Sequence, residues 1–230
     1  MRPVIIIMAK QPIKGQTKTR LVPPLTFDEA ANLYQALLLD TIDLVISIAT
    51  VDMAVGVTPP AAQPFFQQIT PPRTILLPVE GSDIGACLHA VTADLFERGY
   101  QKVLAINSDG PSLPADYLTR AIELLDHHEV IFGPNDDGGY YLVGLVRPEP
   151  QLFHEVLWST DQVFKQSLRK SAKLGLKTGI LPSWYDIDTA GDLRYLLVEV
   201  KNAGPHRLPH SRVFFSQLSP TRLREMESQH

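Results

Sequence analysis

This sequence has one cysteine, no long apolar run and no excess of positive charge. Its single cysteine, Cys87, excludes an intrachain disulfide and any cysteine-rich zinc site. No stretch approaches the ~20 apolar residues that cross a bilayer, and the apolar run at 4–9 is too short for a signal peptide. The formal net charge of −4 argues against a general nucleic-acid or acidic-membrane binder. These features predict a cytoplasmic, single-domain enzyme or binding protein with no nucleic-acid partner and no membrane span.

Strand-like and helix-like patterns alternate along the chain. The unbroken apolar runs at 4–9 and 102–107 are typical of strands buried on both faces. Thr26 and Glu29 form a capping-box signature at the start of the first helix. Repeated strand–helix units predict a three-layer α/β/α domain with a mostly parallel sheet. We expect this domain to cover 1–203 and residues 204–230 to form a C-terminal tail, either packed or partly mobile.

The most informative strand pattern is the run at 102–107, which is followed by Ser108-Asp109-Gly110-Pro111. Gly110-Pro111 forces the chain to turn where the strand ends. Asp109 is therefore predicted at the carboxyl end of a central strand, where open α/β sheets bind their ligands. An aspartate in this position can also simply cap the following turn. Strand position alone does not separate the two interpretations.

A loop rich in cations follows the first predicted strand. Lys10, Lys14, Lys18 and Arg20 fall within it, with no acidic residue among them. Gly15 can let backbone N–H groups approach phosphate oxygens, while lysine and arginine neutralise phosphate charge. The spacing is not that of a P-loop. From the residues alone, a phosphate-binding loop and a solvated basic loop both remain open.

A third pattern is a pair of glycines within Gly133-Pro134-Asn135-Asp136-Asp137-Gly138-Gly139-Tyr140-Tyr141. Paired glycines permit positive φ and leave room for a ligand against the backbone. The two adjacent carboxylates could orient a sugar hydroxyl or act as a general base. Asp-Gly and Gly-Gly are also strong signals of a plain hairpin turn. From turn chemistry alone, the hairpin is the favoured interpretation.

Two further acids, Asp186 and Asp188, precede the last helix predicted before the tail. In an extended segment they share one side, because alternate strand residues face the same way. Thr189 and Asp192 form a capping-box variant for that helix, which accounts for Asp192 but not for Asp188. Asp109 and Asp188, from separate strand ends, would together with diphosphate oxygens suit Mg²⁺ or Mn²⁺.

Several strings in this chain match ordered motifs of one bacterial family. The first combines Met8-Ala9-Lys10-Gln11-Pro12 with Gly15, Lys18-Thr19-Arg20-Leu21 and Pro23-Pro24-Leu25. Others are Gly81-Ser82-Asp83-Ile84-Gly85, Asn107 to Pro114, Gly133 to Leu145 and Asp186 to Leu193. Over about 4–200 the chain thus resembles the DUF2064 family of glycosyltransferase-A-like proteins. It departs from that family at Asn107 and Gly110, where Gly and Cys are usual.

The resemblance implies a nucleotide-diphospho-sugar transferase fold and a set of site residues. Nucleotide and phosphate contacts are carried over to Ala9, Lys10, Gly15, Lys18, Arg20, Asp83 and Ser108. The metal ligands would be Asp109 and Asp188, holding Mg²⁺ or Mn²⁺. The residues facing the donor or acceptor would be Gly138, Gly139 and Tyr140, with Asp137 and Asp109 as catalytic groups.

The function implied is a metal-dependent transferase that uses a nucleotide-activated donor. Our first hypothesis is a glycosyltransferase acting on a nucleotide sugar and a small-molecule acceptor. The alternative is a nucleotidyltransferase that releases pyrophosphate from a nucleoside triphosphate, and a third interpretation is a non-catalytic nucleotide-binding protein. Related folds host several transfer reactions, so the site itself has to decide among them.

Overall fold

A computed structural model describes residues 2–204 and 206–227 of the chain. Within them, seven strands form one sheet in the order β3-β2-β1-β4-β6-β5-β7. The strands are β1 Val4–Lys10, β2 Asp52–Thr58, β3 Ile75–Pro78, β4 Val103–Asn107, β5 Val130–Pro134, β6 Tyr140–Leu145 and β7 Thr178–Ile180. Strand β6 pairs antiparallel with β4 and with β5, whereas the other neighbouring strands are parallel.

Nine α-helices of the described residues cover the sheet or pack beside it, and short 3-10 helices form at Thr19–Leu21 and Pro60–Ala62. The α-helices are α1 Phe27–Ile46, α2 Gln63–Ile69, α3 Ile84–Glu97, α4 Ala115–Leu124, α5 Pro150–Phe153, α6 Val163–Lys173, α7 Asp192–Asn202, α8 Pro209–Gln217 and α9 Pro220–Glu227. The capping box predicted at the start of α1 is present, with Thr26 and Glu29 each accepting from the other's backbone N–H. None of these helices is both long and apolar enough to cross a bilayer.

The sheet is buried on both faces, as its unbroken apolar strands predict. Along β1, Ile5 and Ile7 pack into a core with α1, while Val4 and Ile6 face a second core with α3. Side chains of consecutive strand residues point to opposite faces, so one apolar run serves both cores. The single-domain α/β fold with a mostly parallel sheet, predicted from the sequence, is confirmed.

A third apolar cluster joins the last helices to α1. Leu208, Phe214, Phe215 and Met226 are buried there with residues of α1 and α7. The sequence pattern indicated only a weak apolar cluster in this segment, without helices. Pro205 and residues 228–230 of the predicted tail, like Met1 of the predicted domain, lie outside the described residues. The boundary at 203 stays a prediction.

Candidate functional site

The loops at the carboxyl ends of β1 and β4 meet at one edge of the sheet. The two strands are parallel neighbours, with Met8 beside Asn107 in the register. Consequently the basic loop after β1 and the Ser108-Asp109 segment after β4 leave the sheet side by side. This is the edge at which open α/β sheets bind ligands, and it is where the predicted charged residues gather.

Lys18 lies at the centre of an ionic cluster on this edge. Its Nζ is 2.8 Å from Asp109 Oδ1 and 2.7 Å from Asp188 Oδ1. Arg20 contacts the second oxygen of Asp188, at 2.9 Å. The Lys18 side chain is only 6% exposed, whereas those of Asp109 and Asp188 are each 29% exposed. Two acids and two cations thus balance one another beside the sheet.

The opposite charges determine the protonation of this cluster. Burial by itself would lower the pKa of Lys18, yet Asp109 and Asp188 raise it well above the ordinary value. Burial would likewise raise the pKa of Asp188, but Lys18 and Arg20 hold it below the usual range. Lys18 is therefore a permanent ammonium and Asp188 a permanent carboxylate near neutral pH.

A buried acid behind the cluster is held by two amides. Asp186 accepts hydrogen bonds from Asn107 Nδ2, at 2.9 and 2.8 Å to its two oxygens, and from Asn135 Nδ2. Burial and the nearby Asp109 raise the pKa of Asp186 to about 7. Asp186 and Asp188 line the same cleft, as their alternation predicts. Through these two amides, Asp186 connects the segment before α7 to the ends of β4 and β5.

Two adjoining clefts open from the ionic cluster. A basic cleft of about 230 Å³ is lined by Lys10, Thr17, Lys18, Arg20 and Ser108, among others. A larger cleft of about 570 Å³ continues on the other side, towards β6 and α3. Both clefts share Met8, Arg20, Asp109 and Asp188 in their walls. A ligand that fills both would lie across the two carboxylates.

Tyr34 of α1 fixes the floor of the basic cleft. Its hydroxyl lies 2.9 Å from Ser108 Oγ and accepts from Lys10 N at 3.0 Å. Burial, together with Asp109, raises the pKa of Tyr34 to about 12. The phenol therefore stays neutral and ties α1 to the ends of β1 and β4. The sequence did not point to this residue, because nothing in the helical pattern distinguishes it from other core positions.

The turn between β5 and β6 is the hairpin that the turn residues favour. Gly139 N donates to Asp137 Oδ1 at 2.8 Å, which orients this exposed carboxylate over the larger cleft. Gly138 has φ of 89°, and a Cβ added there would lie 2.2 Å from the backbone oxygen of Asp161. Glycine is required for both reasons. This segment therefore forms a hairpin and also places Asp137 in the wall of the larger cleft.

Three predicted nucleotide contacts lie outside the lining of both clefts. The Ala9 methyl group is buried in the core, 4% exposed. Asp83 accepts from Ala86 N and caps α3. Gly15 has φ of 72° in an open turn with no atom within 4 Å of an added Cβ.

The predicted helix start at Thr189 differs in the structure. Asp192 accepts hydrogen bonds from Asp188 N and Thr189 N, yet α7 begins at Asp192 itself rather than at a Thr189 cap.

No role was predicted for Asn107 and Asn135, which hold Asp186. Asn107 stands where the DUF2064 motif usually has glycine, and this departure was the available signal. A polar side chain at the end of a buried strand needs a hydrogen-bond partner. The partner lies 79 residues further along the chain, however, so the sequence could not identify it.

The residues that could hold a divalent metal are Asp109 and Asp188. Their Oδ1 atoms converge on the single position of Lys18 Nζ, and carboxylate oxygens are the ligands that Mg²⁺ and Mn²⁺ prefer. The donor set fits such an ion if Lys18 moves aside. A second acidic group, formed by Asp40, Asp43 and His210, lies elsewhere on the surface. Both Asp40 oxygens already accept backbone N–H groups at the start of α8.

Solved structures share this fold. A protein from Desulfovibrio desulfuricans G20, described as a "putative nucleotide-diphospho-sugar transferase", is 27% identical, with a TM-score of 0.89 over 97% of each chain. Rv0371c from Mycobacterium tuberculosis H37Rv, in complex with manganese, is 18% identical, with a TM-score of 0.52 over 86% of this chain and 99% of that one. CMP:2-keto-3-deoxy-manno-octonic acid synthetase, complexed with CTP, is 11% identical, with a TM-score of 0.52 over 88% of this chain and 100% of that one.

The sequence comparisons give the family. No curated protein matches the chain. The profile described as "Uncharacterized protein conserved in bacteria (DUF2064)" matches residues 41–160, more than half of the chain. This stretch includes the end of β4 with Asp109 and the whole β5–β6 hairpin. The chain therefore belongs to the DUF2064 family, as its motifs predict.

Proposed function

We propose that this protein is a metal-dependent glycosyltransferase that uses a nucleotide sugar as donor. The observation that carries the proposal is the convergence of Asp109 and Asp188 beside a basic cleft. Carboxylates that can hold Mg²⁺ or Mn²⁺, next to lysine and arginine side chains, are what a departing diphosphate requires. The likeness to the 27% identical protein described as a sugar transferase supports the assignment of this chain as a nucleotide-using transferase.

In this proposal, the diphosphate of the donor occupies the basic cleft. Lys10 and Arg20 line it, and Lys18 reaches it from the ionic cluster. A divalent ion held by Asp109 and Asp188 would neutralise the negative charge that grows on the leaving diphosphate. Lys18 then exchanges its carboxylate partners for phosphate oxygens, since an ammonium can serve either as a point charge. Ser108 and Tyr34 hold the floor of the cleft rigid.

The donor's sugar would lie over the shared wall, and the acceptor would enter from the larger cleft. Asp137 stands on the rim of that cleft, with one oxygen fixed by Gly139 N. From there it can accept the proton of an attacking hydroxyl or orient that hydroxyl for attack. Gly139 and Tyr140 line the wall around it, and Gly138 lies outside the lining, against the backbone of Asp161.

The second candidate is a nucleotidyltransferase, in which an acceptor attacks the α-phosphate of a nucleoside triphosphate. The basic cleft suits pyrophosphate as well as a nucleoside diphosphate, because lysine and arginine neutralise either leaving group. The fold shared with the CTP-bound synthetase favours keeping this candidate. Product analysis separates the two: a nucleoside diphosphate is expected from glycosyl transfer, and pyrophosphate from nucleotidyl transfer.

The first test is calorimetric titration of a panel of nucleotides and nucleotide sugars, with and without Mn²⁺. We expect binding that depends on Mn²⁺ and is lost in Asp109→Asn. The matched control is Asp126→Asn, which removes an acid paired with Lys102 on another surface and should bind as wild type does. If a nucleotide binds without Mn²⁺, and binds Asp109→Asn as well as wild type, the assignment of the site is wrong. Metal-dependent binding without turnover of any donor would instead favour the non-catalytic interpretation.

A further inference from the structure

The larger cleft differs in chemistry from the basic cleft beside it. Its inner wall is apolar: Leu88 and Ile84 of α3, Val143 and Tyr140 of β6, and Trp158 after α5 line it. Ile84 is 50% exposed, although it is a large apolar side chain. A volume of about 570 Å³ is in the range of cavities that enclose a small organic molecule.

The aromatic part of this wall is held in place by close packing. The rings of Tyr140 and Trp158 meet edge to face, with centroids 6.2 Å apart. Trp158 in turn lies directly against the first turn of α3, because a Cβ added at Gly85 would be 2.5 Å from its Nε1. Rigid aromatic walls of this kind bind apolar surface with little loss of side-chain entropy.

The polar lining of the cleft is strongly acidic. Among the described residues that line it, five are acids, namely Asp109, Asp137, Asp161, Asp186 and Asp188, and one is a cation, Arg20. Arg20 and the neighbouring Lys18 pair with Asp188 and Asp109. Asp137 and Asp161 have no ion-pair partner among the described residues, so their charge remains at the rim. The negative potential of such a rim disfavours a phosphorylated or carboxylated ligand and favours a neutral or positively charged one.

One buried acceptor in the lining also lacks a partner. Asn135 is 8% exposed and donates its amide N–H to Asp186, yet its Oδ1 has no hydrogen-bond partner among the described residues. Buried carbonyl oxygens are nearly always paired, and an unpaired one lowers stability. A hydroxyl or ammonium group arriving from the cleft would satisfy it.

We propose that the larger cleft binds the acceptor, and that this acceptor carries an apolar ring or chain ending in an uncharged hydroxyl or an amine. This proposal rests on the proposed function, because only a transferase needs an acceptor beside its donor site. The apolar part packs against Leu88, Ile84 and Trp158. Its polar end lies beside Asp137 at the rim, with the buried Asn135 deeper in the lining. Acceptors bearing a phosphate are disfavoured by Asp137 and Asp161, the two acids of the lining with no cation beside them among the described residues.

A matched set of three probes tests this class directly. Benzyl alcohol, benzylamine and benzyl phosphate share one ring and differ in the charge of the head group. Ligand-observed NMR titration of the full chain should show binding of the alcohol and the amine. Ile84→Ser should weaken both by about tenfold, since it removes apolar surface from the wall. Ile180→Ser is the matched control, because Ile180 is similarly exposed, 54%, on β7 outside the cleft lining.

The outcomes separate this proposal from the proposed function. If the alcohol and the amine do not bind, or bind Ile84→Ser as well as wild type, the assignment of the cleft is wrong. It is equally wrong if benzyl phosphate binds in a way that Ile84→Ser weakens. If benzyl phosphate binds wild type and Ile84→Ser equally well, it binds in the basic cleft, and this result agrees with the proposal. Nucleotide titration of the same samples tests the donor site independently.

Discussion

Lys18 occupies the position that a divalent ion would need between Asp109 and Asp188. Its ammonium contacts both carboxylates within 2.8 Å, and its backbone adopts the left-handed conformation, with φ of 50°. Non-glycine residues adopt this conformation at a cost of about 1–2 kcal/mol. The ionic contacts offset that cost. A metal bound by these two carboxylates would therefore compete with Lys18 for the same oxygens.

Replacing Lys18 by Met should strengthen the binding of Mn²⁺ in the absence of nucleotide. The two carboxylates would lose their ammonium, and their mutual repulsion should lower the melting temperature of the metal-free protein. Mn²⁺ should then raise the melting temperature of Lys18→Met more than that of wild type, because a ligand that binds only the folded state stabilises it. Calorimetry and thermal unfolding measure both effects.

The matched control for this change is Lys102→Met. Lys102 also joins an aspartate, Asp126, and a backbone oxygen, that of Ile122, yet it lies far from the site in the fold. Its loss should leave the response to Mn²⁺ unchanged. If Lys18→Met binds Mn²⁺ no better than wild type while its fold is intact, Lys18 and the metal do not share one position.

The positions of the charged residues were predictable where they depend on local sequence. Asp109 follows a predicted strand directly, and Lys18 and Arg20 lie in the loop after the first strand. The structure brings these three together with Asp188. The holding role of Asp186 could not be derived, because its amide partners come from the ends of β4 and β5. Tyr34 was missed for the same reason, since its contact with Ser108 spans 74 residues.

Among the secondary elements, α8 depends on a single side chain of α1. Asp40 accepts backbone N–H groups of His210 and Ser211, each at 2.9 Å, and so serves as the cap of α8 from another helix. Burial raises the pKa of Asp40 above its ordinary value, and the bonds from residues 210 and 211 lower it only in part. The folded protein thus holds this proton to higher pH than the unfolded chain does.

Asp40→Asn should destabilise the protein by about 1 kcal/mol, as expected for a lost hydrogen bond at a helix start. The stabilisation linked to the proton on Asp40 is complete below the ordinary pKa of 3.8 and is lost as pH rises through the raised folded value. The melting-temperature difference between wild type and Asp40→Asn should therefore be larger at pH 4 than at pH 7. A difference that stays constant over this range would contradict the account.

Elements with their own strong periodicity were predicted well, and the short helices were not. The strand β1 and the helix α1 match their patterns because apolar spacing and a capping box are local signals. The helices α2 and α5, with 7 and 4 residues, fall below the length at which periodicity can be recognised. The apolar residues of α8 are buried by packing against α1 and α7. A local sequence pattern does not show such a contact.

For the molecule as a whole, the C-terminal helices complete the core. Leu208, Phe214, Phe215 and Met226 are each at most 7% exposed, in the cluster that α1 and α7 share. Burial of one such side chain contributes about 1.5–3 kcal/mol. The four together contribute roughly 6–12 kcal/mol, which is comparable to the roughly 5–15 kcal/mol of net stability of a typical domain.

A chain truncated after Gly204 should therefore fail to fold stably, as circular dichroism and thermal unfolding would show. Phe214→Ser should lower the melting temperature strongly, by the loss of about 3 kcal/mol or more. Val213→Ser on the same helix is the control, because Val213 is 55% exposed and its loss should change little. A truncated chain that melts as the full chain does would instead support an independent domain ending at 203.

The architecture as a whole was predictable as a class but not in its connections. Alternating strand and helix patterns predict the α/β layers, because this alternation builds parallel sheets. The hairpin turn predicts that β6 runs antiparallel to β5, but no local pattern predicts that β6 also pairs with β4. That placement depends on which edges remain free once the sheet assembles, and the chain carries no local mark of it.

The contact between Lys18 and Asp188 joins residues 170 positions apart. During synthesis the chain emerges from its amino end, so the basic loop is available long before the acid that completes the site. A ribosome-bound chain therefore cannot form this ionic cluster until Asp188 has been made. The two clefts acquire their shared charged wall late in synthesis, although the basic loop is made early.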